Sequence, residues 1–164
     1  MLAPPFKENA MHFRLLGLPA EPFADLFSLD DEQLAAHGAR RSIAQSDSGY
    51  PCRISLTDAA RGDELLLVNY EHQPADSPYR SRHAIYVRRN ERTYDAVDQV
   101  PEQLRRRMLS VRGFDVDGMM TEADLVDGPE LEAAIERFFA DARTQYLHLH
   151  FAKPGCYAAR VERV

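Results

Sequence analysis

His148 and His150 are separated by one residue in the run Tyr146-Leu147-His148-Leu149-His150-Phe151. In an extended strand alternate side chains leave the same face, so both imidazoles point one way while Leu147, Leu149 and Phe151 point the other. Two such rings, ~6–7 Å apart at the backbone, can converge on one metal ion. A zinc or other transition-metal site needs a third and usually a fourth ligand. Cys156, just beyond the turn Lys153-Pro154-Gly155, is the nearest candidate, and Cys52 and His72 sit on neighbouring predicted strands. A thiol beside a histidine also has the ingredients of a nucleophile, which needs a nearby base or cation to form its thiolate. Arg160 falls on the same face of the returning strand, and its positive charge favours an anion there over a metal cation.

A second group, Tyr79-Arg80-Ser81-Arg82-His83, enters a strand from a loop. Arginines beside a hydroxyl and an imidazole can hold a carboxylate or phosphate through charge-assisted hydrogen bonds. The candidate ligand-binding site is therefore His148, His150, Cys156 and Arg160, with Arg80, Arg82 and His83 as a second wall. In this reading no cofactor is expected. The alternative is a zinc or other transition-metal site on His148, His150 and Cys156. Arg105-Arg106-Arg107 make no concentrated patch, because successive helical residues point ~100° apart. Asp115, Asp117, Glu122 and Asp124 lack the spacing of a calcium-binding EF-hand loop. The chain has no P-loop, no Gly-x-Gly-x-x-Gly and no Gly-x-Ser-x-Gly.

The elements that must position these groups are legible in outline. The 164 residues suit one domain. The pattern predicts an N-terminal lead-in over residues 1–12 and a single α+β domain over 13–164. Phe13 to Leu18 reads as a strand, and Ser28 with Asp30, Asp31 and Glu32 opens a short helix that Gly38 stops. Cys52, Ile54 and Leu56 alternate with polar residues, which predicts a half-buried strand paired in a hairpin with Leu65–Tyr70. Ala84 to Val87 is a further strand. Pro101 opens a helix carrying Leu104, Met108 and Val111. Met119 to Val126 reads as a strand. Leu131, Ala134, Ile135, Phe138 and Phe139 recur at helical spacing and predict a core helix over Pro129–Ala140, with Asp127 and Glu130 placed as a capping box. A three-residue turn then pairs Ala152 with Cys156 and sets Leu147, Leu149 and Phe151 on one face with Tyr157, Ala159 and Val161. Strands cluster rather than alternate with helices, so the prediction is a largely antiparallel sheet with a few helices packed on one side.

Composition narrows the function classes. Twenty Lys+Arg against 26 Asp+Glu give a net charge of −6, which disfavours nonspecific nucleic-acid binding, a process driven by cations. No apolar run approaches the ~20 residues that span a bilayer. No signal-peptide pattern opens the chain, so the two cysteines are expected reduced, in a cytoplasm.

Two stretches carry a resemblance. One is Gly49-Tyr50-Pro51-Cys52-Arg53 with Leu56, Gly62-Asp63-Glu64-Leu65-Leu66-Leu67 and Ser77-Pro78-Tyr79; the other is His148-Leu149-His150-Phe151-Ala152 with Gly155-Cys156-Tyr157-Ala158-Ala159-Arg160. Together they resemble the bacterial domain-of-unknown-function family 1203 (DUF1203), from about Phe13 to the C-terminus. His150 and Phe151 stand where the family pattern carries arginine and asparagine. The resemblance implies a small soluble bacterial protein and no particular activity. Taken together, the sequence predicts a module binding a small anion, an acidic group or a protein partner, with a metal- or thiol-dependent enzyme built on His148, His150 and Cys156 as the competing reading.

Overall fold

The computed structural model describes residues 10–164, so the first nine residues of the expected lead-in lie outside it. The chain runs through β1 (Phe13–Leu16), the short helices α1 (Glu21–Ala24) and α2 (Asp31–Ala36), then β2 (Ala39–Ile43), β3 (Glu64–Gln73), β4 (Ser81–Arg88), β5 (Asp95–Val97), the single turn α3 (Glu102–Arg105), β6 (Met108–Phe114), β7 (Met120–Asp127), α4 (Leu131–Phe139), β8 (Tyr146–Phe151) and β9 (Tyr157–Arg163). All the pairings between these strands are antiparallel. They form a six-stranded sheet in the order β5-β1-β9-β8-β6-β7 and a three-stranded sheet in the order β2-β3-β4. The α+β class holds, with two sheets where the sequence pattern suggested one. Among the described residues, no helix is long and apolar enough to cross a membrane.

Local chemistry sets the helices. α2 starts two residues later than expected because Ser28 closes a preceding 3-10 turn, and Asp30 caps instead. Its carboxylate accepts from Gln33 N at 2.8 Å while Asp30 N donates to Gln33 Oε1 at 3.0 Å, a reciprocal capping box. In α4 the residues Leu131, Ala134, Ile135, Phe138 and Phe139 are all buried, as their spacing predicts. The expected Asp127/Glu130 box does not form. Asp127 ends β7 opposite Met108, and a 3-10 turn, Gly128–Glu130, leads into the helix.

Two expected elements are replaced. The segment Cys52–Leu56 is not a strand and makes no hairpin with β3, which pairs with β2 and β4 instead. Cys52 N donates to Thr57 O and Leu56 N to Cys52 O, and Leu56 takes φ +53°, so the segment is a tight turn. It fills the junction between the sheets: Arg53 N donates to Tyr86 O on β4, and Arg53 O accepts from Leu18 N beyond β1. Gly17 is required here, since a Cβ would stand 2.1 Å from Ile54 O. The helix from Pro101 is one turn long, and Met108–Phe114 forms β6 between β7 and β8. Leu104, Met108 and Val111 share a helical spacing, but Leu109 and Val111 also alternate with Ser110 and Arg112. Ladder partners on both sides favour the strand.

Three layers result. One face of the large sheet, including Leu109, Val111, Leu147, Leu149, Phe151, Ala159 and Val161, packs in one cluster with α4. The other face is covered by the small sheet, whose Leu66, Val68, Ile85 and Val87 pack in a second cluster. The histidine face of β8 is thus enclosed rather than open to water.

Two β-bulges shape that interface. The β8–β9 register matches the expected one at Leu147↔Val161, His148↔Arg160 and Leu149↔Ala159, then slips to His150↔Tyr157. The extra residue, Ala158, turns Tyr157 away from the leucine face, where alternation had placed it, and into the second cluster. On β3 the register slips between Tyr70↔His83 and Gln73↔Ser81, leaving Glu71 and His72 opposite Arg82 alone. Bulges of this kind re-aim side chains.

Candidate metal centre

β8 supplies His148 and His150, β3 supplies His72 beside its bulge, and β4 supplies His83. The His72 ring stacks on His83 with centroids 4.7 Å apart and meets the rings of His148 and His150 edge-on at 5.7 and 5.1 Å. The re-aimed Tyr157 stacks on the other side of His72 at 5.0 Å. His72, His148 and His150 are buried, with His150 fully enclosed. His83 is partly exposed.

Five ring nitrogens in this group are buried without a hydrogen-bond partner: both of His72, Nδ1 of His83, Nδ1 of His148 and Nε2 of His150. A buried polar group left unmet costs ~1–3 kcal/mol. A group that meets several of these nitrogens at once would remove that cost. His72, His148 and His150 each place a ring nitrogen within 4.8 Å of the other two. A tetrahedral zinc with bonds of ~2.0–2.1 Å needs nitrogens about 3.4 Å apart, a closure within reach of side-chain rotation.

The electronic state suits coordination. His150 Nδ1 donates to Gly155 O at 3.0 Å, which leaves the lone pair on Nε2. This carbonyl contact is the usual device for fixing a ligating tautomer. Gly155 itself takes φ +79°, the left-handed turn conformation expected of it. Burial depresses the imidazoles, His72 to about 4, His148 to about 2 and His150 to about 3, with further repulsion from neighbouring rings and from Arg112; Arg160 adds to it at His148. All three are neutral at physiological pH and carry free lone pairs. Arg112, opposite His148 on β6, is itself held below its usual value by burial.

The other expected site residues are dispersed. Arg160 lies with its guanidinium 4.0 Å from the Tyr146 ring centre and pairs with Glu162 at 2.8 Å. Arg80 is exposed and pairs with Glu71 at 2.6 Å; Arg82 is exposed and bonds Asn69. Of the second wall, only His83 reaches the cluster. Cys156 is not among the converging donors. Its Sγ accepts from Arg53 Nη2 at 2.9 Å, and it packs towards the α4 side of the sheet. Cys52 is buried, and both cysteines are free.

Two residues were missed in the sequence reading. Arg112 was hidden by the helical reading of β6. Arg53 was read as the polar position of a strand, yet it is only 2% exposed. An arginine inside the run Pro51-Cys52-Arg53-Ile54 was the available signal, because arginine is almost never fully buried without partners.

The family model described as "Protein of unknown function (DUF1203)" matches residues 49–163, and the chain belongs to that family. All four histidines of the cluster lie within the matched span. No curated protein and no solved structure matches the chain.

Proposed function

We propose that this DUF1203 chain is a metal-binding protein whose centre, His72, His148 and His150, holds one divalent transition-metal ion between the two sheets. The observation that carries the reading is the convergence of three buried, neutral imidazoles whose inward nitrogens have no protein partner. The set keeps the His148–His150 pair of the sequence and replaces Cys156 with His72. Imidazole ligands suit zinc, copper, iron and nickel, and three protein nitrogens with an open fourth position favour zinc of the water-activating kind. Among the described residues no aspartate or glutamate joins the three converging histidines, and Arg112, opposite His148, adds positive charge nearby. An anionic fourth ligand is therefore favoured, in line with the anion preference read from Arg160. A reducing cytoplasm, where both thiols stay free, fits this reading.

The test is metal analysis of protein made without a histidine tag and purified without chelator, compared with His72→Gln and His148→Gln variants whose folding is checked by circular dichroism. About one ion per chain is expected in the unmodified protein, with most of it lost from each folded variant. Metal-free unmodified protein after growth in zinc-supplemented medium would refute the reading.

A further inference from the structure

A pocket of about 620 Å³ opens beside the cluster, at the junction of the turn Pro51–Leu56 with the end of β8. Arg53, Arg107 and Lys153 line it together with apolar surface from Phe151 and Met108, and His83 forms part of its wall. Among the described residues, no aspartate or glutamate lines it. Its size is that of a site for a small organic ligand.

Arg53 is the unusual member. Among the described residues, no carboxylate lies within 4.0 Å of its guanidinium, although the side chain is almost fully buried. Arg107, by contrast, already pairs with Asp58 at 2.9 Å. A guanidinium carries five N–H donors in a planar fork. Three of Arg53's are placed: Nε donates to Tyr157 O at 2.8 Å, Nη1 to Pro51 O at 2.7 Å and Nη2 to Cys156 Sγ at 2.9 Å. One N–H on each terminal nitrogen remains for a ligand in the pocket that Arg53 lines, and two donors on one guanidinium suit a carboxylate. The carbonyl bonds and the Phe151 ring, whose centre lies 4.9 Å from the guanidinium carbon, hold the fork rigidly in place. A buried cation without an opposite charge is costly, and an anion entering the pocket removes that cost. Burial also weakens the proton affinity of this guanidinium, in the direction an incoming anion would reverse.

We infer that this pocket binds an organic monoanion, a carboxylate on an apolar body, with the acid group on Arg53 and the body against Phe151 and Met108. The inference is independent of the metal centre, because none of Arg53's partners is a proposed ligand. It assigns a place for the acidic ligand expected from the sequence, on residues other than those first expected to hold it.

Octanoate and its neutral analogue octanamide serve as probes, titrated calorimetrically into the metal-stripped and the zinc-loaded chain. Octanoate is expected to bind both forms, and octanamide about tenfold more weakly or not at all, since only the acid meets the fork. Octanoate, and not the amide, should also slow alkylation of Cys156 by iodoacetamide in the unmodified protein, a readout that needs no variant. Arg53→Lys keeps the charge and loses the fork, so it should weaken octanoate about tenfold while remaining folded. Equal affinity for acid and amide, no protection of Cys156, or octanoate binding only when zinc is present would each overturn the inference, and the last would leave the metal centre standing.

Discussion

Metal-stripped protein should lose about 5–6 kcal/mol of stability between pH 7 and pH 4.5 from His148 and His150 alone. An unfolded histidine titrates near 6.5, while burial holds these two in the folded chain at about 2 and about 3. Above pH 6.5 both states are neutral and the histidines contribute no pH dependence. Below it the unfolded chain takes up protons that the folded chain refuses, so stability falls as the pH falls. Two pH units at ~1.4 kcal/mol each amount to roughly 3 kcal/mol per ring at pH 4.5. His72, held at about 4, acts in the same direction. The guanidinium groups facing the cluster from adjoining strands, Arg112 on β6 and Arg160 on β9, repel a proton from these rings and reinforce the effect. The carboxylates held low by ion pairs, such as Asp95 with Arg14 and Asp141 with Arg143, lose their contribution only below about pH 4. Urea unfolding of chelator-treated protein at pH 7.0 and 4.5 reads the difference directly. His148→Gln should flatten it, and a stability unchanged over this interval would show that the cluster is open to water.

Phe138→Ala should cost about 3–5 kcal/mol, the usual range for emptying a fully buried aromatic site. Phe138 is completely buried between α4 and the large sheet, where a Cβ added at Gly113 would stand 3.1 Å from its ring. The void would open on the side of the sheet away from the histidines. The variant should therefore unfold at lower urea concentration yet keep the metal stoichiometry of the unmodified chain. A loss below about 1 kcal/mol would mean that α4 repacks and is not the anchor its spacing indicates.

The elements that rest on a single periodicity were legible from sequence. α4 follows from five apolar residues at helical spacing, and β8 from the alternation of leucine with histidine. The site was half legible, since that same alternation put His148 and His150 on one face. What completes the site is non-local. His72 reaches the pair only because a second sheet stacks on the first. Tyr157 does so only because one extra residue at Ala158 breaks the alternation. Neither a sheet-on-sheet contact nor a one-residue slip leaves a periodic trace in the chain. Arg53 shows the same limit: alternation placed it outward on a strand, while the turn it occupies is set by Gly17, Leu18 and Tyr86 from two distant segments. Burying the polar face alone is costly, so the sequence pattern calls for water, a ligand or an ion against it. The structure encloses it, and the unmet nitrogens that follow are the ground for placing an ion there.

Whether one ion sits on His72, His148 and His150 can be read from an anomalous-difference map of crystals of tag-free, zinc-loaded protein, collected at the zinc edge. One dominant peak is expected between the two sheets, at ~2.0–2.1 Å from a nitrogen of each of the three rings. Peaks only at surface residues, or at Cys156, with water between the three rings, would contradict it.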